Sequence, residues 1–222
     1  FKDKRKATFS TSDLSWSTLY SLVKKAIIRA SRTQPDELAG LPPAARYKVD
    51  ELSLKLADPA LIGLRSEEKI KLALETERIG LSDRRIINSF GAGFESSELK
   101  TILVSSNGFS GEYFETEASL SLGLQAGQGD QLVEDYWFSS ARHLKDLSSP
   151  QEVARKAVER TVRLLNPRKI KTQQVPVIFE PMMTSWLLAF LFQCVSGEAV
   201  YQRTTFLADR LGEKIGDDKL MV

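Results

Sequence analysis

The sequence has very few of the side chains that bind transition metals or form covalent cross-links. It contains one cysteine, Cys194, and one histidine, His143. A single cysteine cannot form an internal disulfide, which favours a reducing, cytoplasmic compartment. Catalytic zinc sites take three protein ligands that usually include two histidines, so the common motifs built on histidine pairs are excluded. We therefore expect no metal site in this chain and interpret His143 as a surface residue.

An excess of one charge and long apolar runs are also lacking. The 31 lysines and arginines nearly balance the 29 acidic residues, giving a net charge of +2, so bulk electrostatics favour neither a nucleic-acid nor a membrane partner. Residues 155–171 hold seven basic residues against Glu159, but no aromatic residue interleaves them, and a solvated helix face explains them. The most apolar window, Pro181–Val195, is shorter than the ~20 residues that cross a bilayer. We interpret it as a buried helix.

What is present is ordinary for a globular protein, with 42% hydrophobic and 27% charged residues in a chain of 222. Ser12-Asp13 offers an N-cap for an amphipathic helix that reaches Ala30. Prolines and a glycine make residues 31–65 a mostly irregular connection. Ser66, followed by two glutamates, begins a second helix that Gly80 ends.

The middle of the chain changes to a hydrophobic period of two, which is typical of strands. Thr101–Val104 predicts a strand, and Asn107-Gly108 is the dipeptide that tight hairpins prefer. Phe114–Ala126 alternates apolar and polar residues, so one face meets a core and the other meets water or a partner. A turn at Gly127–Asp130 and a strand over Leu132–Phe138 complete an antiparallel meander.

The last third of the chain is predicted to be mainly helical. Ser149–Glu152 forms a capping box with proline at the first helical position, and a buried apolar stripe follows it. A short strand is predicted over Val175–Phe179, ahead of the apolar helix. Gly197 is the predicted C-cap of that helix, and a final helix covers Tyr201–Ile215.

Together these elements predict an α+β fold, in which an antiparallel β-meander packs with amphipathic helices and is followed by a buried apolar helix. We place an N-terminal α+β domain at residues 1–148, incomplete at its start, and a helix-strand-helix-helix segment at residues 149–222. Phe1 is not preceded by an initiator methionine. We therefore expect the chain to be a fragment of a longer, two-domain protein.

No set of residues predicts an assembled catalytic site. Cys194 follows Phe192 and precedes Val195 in the apolar helix, which is typical of an inert core thiol. Gly91-Ala92-Gly93 does not continue into a G-x-G-x-x-G motif and is interpreted as a turn. Glu115 and Glu117 share one exposed strand face, whereas glycosidase carboxylates lie across a cleft at ~5–10 Å. The sequence thus favours a binding or partner subunit with no catalytic or cofactor-binding residue of its own.

Motifs of one known family occur in order along the chain. They are Asn107–Gly111, Leu120–Leu122, Gly127–Asp130, Asp135–Ser139, Ala157–Thr161, Lys169–Thr172, Val175–Phe179, Ser196–Tyr201 and Phe206–Gly212. In this arrangement the chain resembles the TldD/PmbA family, and most closely its PmbA branch, also called TldE. Family proteins are about twice this length, so the resemblance implies a missing β-rich C-terminal domain after residue 222.

The resemblance implies an intracellular protease system that was historically named as a modulator of DNA gyrase. TldD-type subunits carry an H-E-x-x-x-H zinc motif on the central helix and pair with PmbA-type subunits that lack it. Counting back from Arg203, the motif positions fall on Phe190, Leu191 and Val195. None of these side chains binds zinc. We therefore expect zinc only in a TldD-type partner, and we expect these three positions to be core.

The function implied is that of a non-metal-binding partner subunit in a metallopeptidase heterodimer that degrades unfolded or flexible peptides. The partner would be a TldD-type subunit or a second copy of this chain. We expect the sheet to bind extended peptides by strand addition, with Phe114, Thr116, Ala118 and Leu120 as candidate peptide-lining residues. Three alternatives stay open: a homo-oligomeric peptide-binding protein without catalysis, an enzyme that acts alone with a site from the missing half, and direct binding to gyrase.

Overall fold

The computed structural model describes residues 1–41 and 54–217. These residues form two compact units, Phe1–Pro167 and Arg168–Val222. The first unit contains the antiparallel sheet and the helices that pack on it, and the second contains the apolar helix. The predicted α+β class is confirmed.

The first helix, α1, spans Trp16–Ala30. It begins later than predicted because Ser15 is its N-cap: the Ser15 hydroxyl accepts the Thr18 N–H at 3.5 Å, while Asp13 accepts the Ser15 N–H at 2.8 Å. Carboxylate and hydroxyl oxygens both satisfy amide groups that a helix start leaves without partners. Most of the apolar side chains of α1 are exposed within this chain.

The connection predicted over residues 31–65 is not wholly irregular. A short helix, α2, spans Pro59–Ile62 and is capped by Asp58, while residues 42–53 lie outside the described residues. The next helix, α3, spans Ser66–Gly80 and confirms the prediction. At its start the carboxylate of Glu68 accepts the Arg65 N–H at 3.1 Å.

Three antiparallel strands form one sheet in the order β1-β2-β3. The strands span Ile86–Val104, Ser110–Ala126 and Val133–Ala141. Strand β1 is far longer than the predicted Thr101–Val104. The prediction of a turn at Gly91-Ala92-Gly93 is wrong, because this segment lies inside β1 after a register shift between Ser89 and Gly91. A bulge lets the strand absorb an irregular residue without ending.

Among the described residues, the helices that pack on this sheet lie on one face, which we call the inner face. Helix α4, Pro150–Val162, begins at the predicted cap, where the Ser149 hydroxyl accepts the Glu152 N–H at 3.2 Å. Together with the end of α3 it packs on the even-numbered residues of β2. The buried cluster is Ile86, Leu120, Leu122, Leu124, Ala126, Val153, Ala154 and Ala157. Because α4 packs on the sheet, it belongs to the first unit.

The second unit contains helix α5, Pro181–Cys194, and the short helix α6, Gly197–Tyr201. The predicted strand at Val175–Phe179 does not form in the described structure, where this segment has no regular element. The C-cap of α5 is Val195, not Gly197, and the predicted helix over Tyr201–Ile215 is replaced by turns. Within the described residues, no helix has the length and apolar character needed to span a bilayer.

The apolar helix α5 forms as predicted but is largely exposed among the described residues. Only Cys194 is buried. Six large side chains are 38–71% exposed, and they are Met183, Trp186, Leu187, Leu188, Phe190 and Phe192. Such a helix loses its favourable burial energy unless another surface covers it.

Candidate functional site

The positions that the resemblance assigns to zinc ligands lie at the carboxyl end of α5. Phe190 and Leu191 are in its last turn, and Val195 is its C-cap, with its N–H donating to the Leu191 carbonyl at 3.1 Å. Phe190 and Val195 are exposed, so the expectation that all three positions are core is wrong for this chain. A helix of this apolarity cannot cover itself on every side, and the described second unit offers only α6 and irregular segments to pack on it.

A cleft of about 360 Å³ lies between the end of α5 and α6. Six of its nine lining residues have polar side chains, and one of these six is a carboxylate. The lining residues are Phe190, Gln193, Cys194, Ser196, Glu198, Ala199, Gln202, Thr204 and Thr205.

Local hydrogen bonds fix the wall of this cleft. The Ser196 hydroxyl caps α6 by accepting the Ala199 N–H at 3.2 Å. The Thr204 N–H donates to the Ala199 carbonyl at 3.0 Å, which folds the chain back over α6. The Gln202 amide donates to Glu198 at 3.0 Å. These hydrogen bonds fix the positions of several amide and hydroxyl groups that line the cleft.

The donor set of this cleft does not fit zinc. Its only side chains that commonly bind the metal are Cys194 and Glu198, whereas catalytic zinc takes three protein ligands. In the described part of the chain, no three His, Cys, Asp or Glu side chains are grouped closely enough to hold a metal ion. Cys194 is 8% exposed, whereas reactive thiols lie in partly exposed, electropositive surroundings.

The candidate peptide-lining residues of β2 face the protein interior. Thr116, Ala118 and Leu120 are at most 1% exposed, and Phe114 is partly buried. Strand β2 is the central strand, and Ala118–Ala126 pairs with both neighbours. In the folded chain a peptide can therefore reach neither these buried side chains nor the backbone of this stretch. In the described sheet, open edges for strand addition remain on the two outer strands and on Ser110–Glu115 of β2, which pairs with β1 alone.

Thr116 instead belongs to a polar junction that sequence reasoning missed. Its hydroxyl donates to the Arg142 carbonyl at 2.8 Å and accepts the Asp58 N–H at 2.9 Å. The Asp58 carboxylate accepts the N–H groups of Leu144 at 2.7 Å and Ala60 at 2.9 Å. These bonds hold the pKa of Asp58 below its ordinary value. The Asp58-Pro59 pair, an N-cap before a first-turn proline, was the available signal.

His143 lies beside this junction and is not an isolated surface residue. Its Nε2 atom is 2.7 Å from the Lys55 carbonyl oxygen, and its backbone precedes a short 3₁₀ turn at Leu144–Asp146. The interaction ties the segment before α2 to the end of β3. The histidine thus has a structural contact in this fold.

These observations define a class of α+β protein: a meander covered by helices on one face, followed by a unit with an exposed apolar helix and a polar cleft. Comparison with known proteins agrees with this description. The PmbA/TldA metallopeptidase central domain matches residues 60–165, and the PmbA/TldA metallopeptidase C-terminal domain matches residues 172–222.

Whole-chain relatives give the same assignment. The metalloprotease PmbA homolog of Haemophilus influenzae is 33% identical over 219 residues, which cover 98% of this chain and 48% of that protein. Metalloprotease PmbA of Escherichia coli O157:H7 is 32% identical over 223 residues, which cover 100% of this chain and 49% of that protein. This chain belongs to the PmbA/TldD metallopeptidase family, and it spans about half the length of these relatives.

Crystal structures of relatives agree in fold. A candidate modulator of DNA gyrase from Bacteroides thetaiotaomicron has a TM-score of 0.85 and 30% identity, and the match covers 97% of this chain and 50% of that one. TldE from Thermococcus kodakarensis has a TM-score of 0.72 at 22% identity, over 96% of this chain and 48% of that one. The second comparison concerns the fold alone. The TldD/PmbA resemblance seen in the sequence motifs is therefore confirmed.

Proposed function

We propose that this chain is part of the partner subunit of a PmbA/TldD-type metallopeptidase complex. In this proposal the chain contributes no zinc ligand, and a second subunit with an H-E-x-x-x-H motif holds the metal. The assembled cytoplasmic pair would degrade unfolded or flexible peptides. The observation that carries the proposal is the apolar character of Phe190, Leu191 and Val195 at the end of α5, beside a cleft with only two potential ligands.

The chemistry of α5 supports a role within a larger assembly. Six large apolar side chains of one short helix are exposed, and exposed apolar surface of this extent is an interaction surface, either for the rest of the protein or for a second subunit. Trp186 and Phe190 are four residues apart and so project from the same side of the helix. Aromatic residues are the side chains that most often anchor protein interfaces.

The test is reconstitution of the full-length protein with an H-E-x-x-x-H subunit from the same organism. We expect one-to-one co-elution in size-exclusion chromatography with light scattering, and hydrolysis of an unfolded peptide only in the mixture. Self-association without heteroassembly would favour a homo-oligomeric peptide-binding protein and contradict the proposal.

A pair of variants locates the assembly surface. Trp186→Glu combined with Phe190→Glu places two charges on the exposed apolar side, and we expect it to abolish co-elution. Ser185→Glu adds charge at an exposed position of the same helix and near its amino end, where a carboxylate suits the helix dipole. This control should assemble normally. Equal assembly by both variants would exclude α5 as a contact between the subunits.

A further inference from the structure

The face of the sheet opposite α3 and α4 carries exposed aromatic side chains. We call it the outer face. Phe90, Tyr136 and Phe138 lie on it and are 58%, 52% and 42% exposed. Burial of an aromatic side chain is among the most favourable contributions to an interface. Three exposed aromatic side chains on one sheet face are therefore a candidate binding feature.

The register of the strands arranges these aromatic residues as two walls around a low floor. Gly123 of β2 lies between Gly91 of β1 and Tyr136 of β3. Two positions away on the same face of β2, Ser121 lies between Gly93 of β1 and Phe138 of β3. A Cβ atom on Gly123 would lie 3.4 Å from the Phe90 Cβ, so Phe90 stands directly beside this glycine.

The backbones of β1 and β3, which carry the two walls, are about 10 Å apart because two strand spacings separate them. On the β3 side the rings of Tyr136 and Phe138 have centroids 6.3 Å apart and are inclined by only 17°. They form one continuous apolar wall opposite Phe90. We call this feature the aromatic trough; it comprises Phe90, Gly93, Ser121, Gly123, Tyr136 and Phe138.

The rest of the outer face carries several carboxylates. The strand residues of this face include four glutamates and no lysine or arginine; the glutamates are Glu95, Glu115, Glu117 and Glu134. Arg142, just after β3, pairs with Glu115, and Glu117 accepts the Ser140 hydroxyl at 2.8 Å. The outer face is therefore acidic although the whole chain has a net charge of +2.

We propose that the aromatic trough and its adjoining carboxylates bind an extended peptide segment in which an aromatic or large aliphatic side chain lies near a lysine or arginine. The aromatic walls would enclose the apolar side chain, and the glycine floor would let the peptide backbone approach the sheet. Glu95 lies opposite Ser119, about three residues or ~10 Å along the sheet from the trough centre. The cation is accordingly about three positions from the apolar residue in the peptide.

This inference rests on the proposed function, since such a segment would be the part of a flexible substrate that the partner subunit holds. Charge complementarity selects the occupant. A second copy of this chain would bring an equally acidic outer face against this one, and like charges facing each other oppose association. A cationic peptide has no such cost.

The test measures binding without cleavage, so it is independent of assembly with a metallopeptidase. A fluorescein-labelled Gly/Ser peptide with one Phe and one Arg three positions apart is titrated with the full-length protein alone, and anisotropy is recorded. We expect binding that weakens with salt. The peptide with Phe→Ser should bind about tenfold more weakly or worse, because burial of one large apolar side chain is worth at least that factor. The peptide with Arg→Glu should also bind more weakly, because it replaces attraction to the carboxylates with repulsion.

Variants assign the binding to the trough. Tyr136→Ala with Phe138→Ala should lose affinity for the Phe-containing peptide, while Tyr20→Ala, an exposed aromatic on α1, should not. Glu95→Gln should weaken binding of the Arg peptide selectively. Glu98→Gln, three residues away on the opposite face of β1, is its matched control. Circular dichroism checks folding, and the glutamate pair keeps the test valid if the aromatic variant unfolds.

Three results would overturn the inference. One is the absence of binding by every peptide, and another is equal loss of affinity in the test and control variants. The third is a dimer in sedimentation that dissociates on Tyr136→Ala, since a second copy would then be the occupant. With any of these results, heteroassembly with the metallopeptidase subunit can still succeed. Failure of the peptide-binding inference is therefore distinguishable from failure of the proposed function.

Discussion

Leu122→Ala should remove a large part of the stability of the first unit, and Gly80→Ala should restore some of it. Leu122 is fully buried on the inner face of β2. Gly80, the last residue of α3, sits directly above it: a Cβ on Gly80 would lie 2.6 Å from the Leu122 Cδ2 atom. A side chain at position 80 and the Leu122 side chain would therefore occupy the same volume.

The expected loss follows from the side chain removed. Three CH₂ equivalents account for about 2.4 kcal/mol of transfer free energy, and a residual cavity of roughly 50 Å³ adds about 1.2 kcal/mol. The free energy of unfolding should thus fall by about 3.5 kcal/mol. Gly80→Ala alone should be destabilising in the wild-type background because its new methyl group displaces Leu122, despite the higher helix propensity of alanine.

In the Leu122→Ala background, Gly80→Ala should stabilise the protein instead of destabilising it. With Leu122 truncated, the Gly80→Ala methyl group enters the vacated space, so the double variant should be more stable than Leu122→Ala alone. The assay is equilibrium urea unfolding followed by circular dichroism for all four proteins of the cycle. Leu99→Ala, on the outer face of β1 and 52% exposed, is the matched control and should change stability by less than about 0.5 kcal/mol.

Two results would refute this reasoning. If Leu122→Ala and Leu99→Ala cost the same, the inner face is not the core. If the effects of Gly80→Ala and Leu122→Ala simply add, the end of α3 does not pack on β2 as described.

Three further predictions concern polar groups and turns. Hydrogen bonds from the Arg85 side chain and backbone lower the pKa of Asp83 to about 2, so Arg85→Ala should raise that pKa in an NMR titration of the carboxyl carbon, and an unchanged value would contradict the pairing. The Leu144 and Ala60 N–H groups lower the pKa of Asp58. Its carboxylate therefore stabilises the fold above the unfolded-state pKa near 3.8, and this stabilisation is lost as the pH falls through the folded-state pKa. Over this acidic range the Tm should fall less in Asp58→Asn than in wild type. Gly127 has a φ of 110°, and a Cβ there would overlap a backbone oxygen of its own loop, whereas Gly129 has open space around its Cβ position. Gly127→Ala should therefore lower the unfolding midpoint by more than Gly129→Ala. Equal effects of the two substitutions would contradict the loop geometry.

The elements that the sequence predicted well are those in which local and tertiary signals agree. The alternation of Phe114–Ala126 specifies which side of β2 is buried, and the register confirms it. The capping box at Ser149–Glu152 contains its own hydrogen-bond partners, so the start of α4 could be located to the residue. In both segments the physical cause lies within a few residues.

The errors arise where the cause is distant in the chain. Val175–Phe179 has the composition of a strand, but a strand needs a neighbour to satisfy its backbone, and the described second unit provides none. Gly91-Ala92-Gly93 has the composition of a turn, yet pairing with Leu122 and its neighbours keeps it extended.

The candidate site was predicted only in part. The apolar replacement at Phe190, Leu191 and Val195 could be read from the sequence and the resemblance, but the polar cleft beside them depends on how α6 folds back at Thr204. The even-numbered β2 residues predicted as peptide contacts lie on the inner face of the sheet, for a simple reason. An alternating strand marks its apolar face, and in a sheet covered on one side that face is the core.

The most direct test of the central claim is a hydrolysis and metal assay on the purified full-length protein without a partner subunit. We predict that this protein alone cleaves no unfolded peptide and binds less than one zinc per chain. Chelator-sensitive cleavage should arise only after an H-E-x-x-x-H subunit is added. Chelator-sensitive cleavage by the protein alone, with stoichiometric zinc, would contradict it.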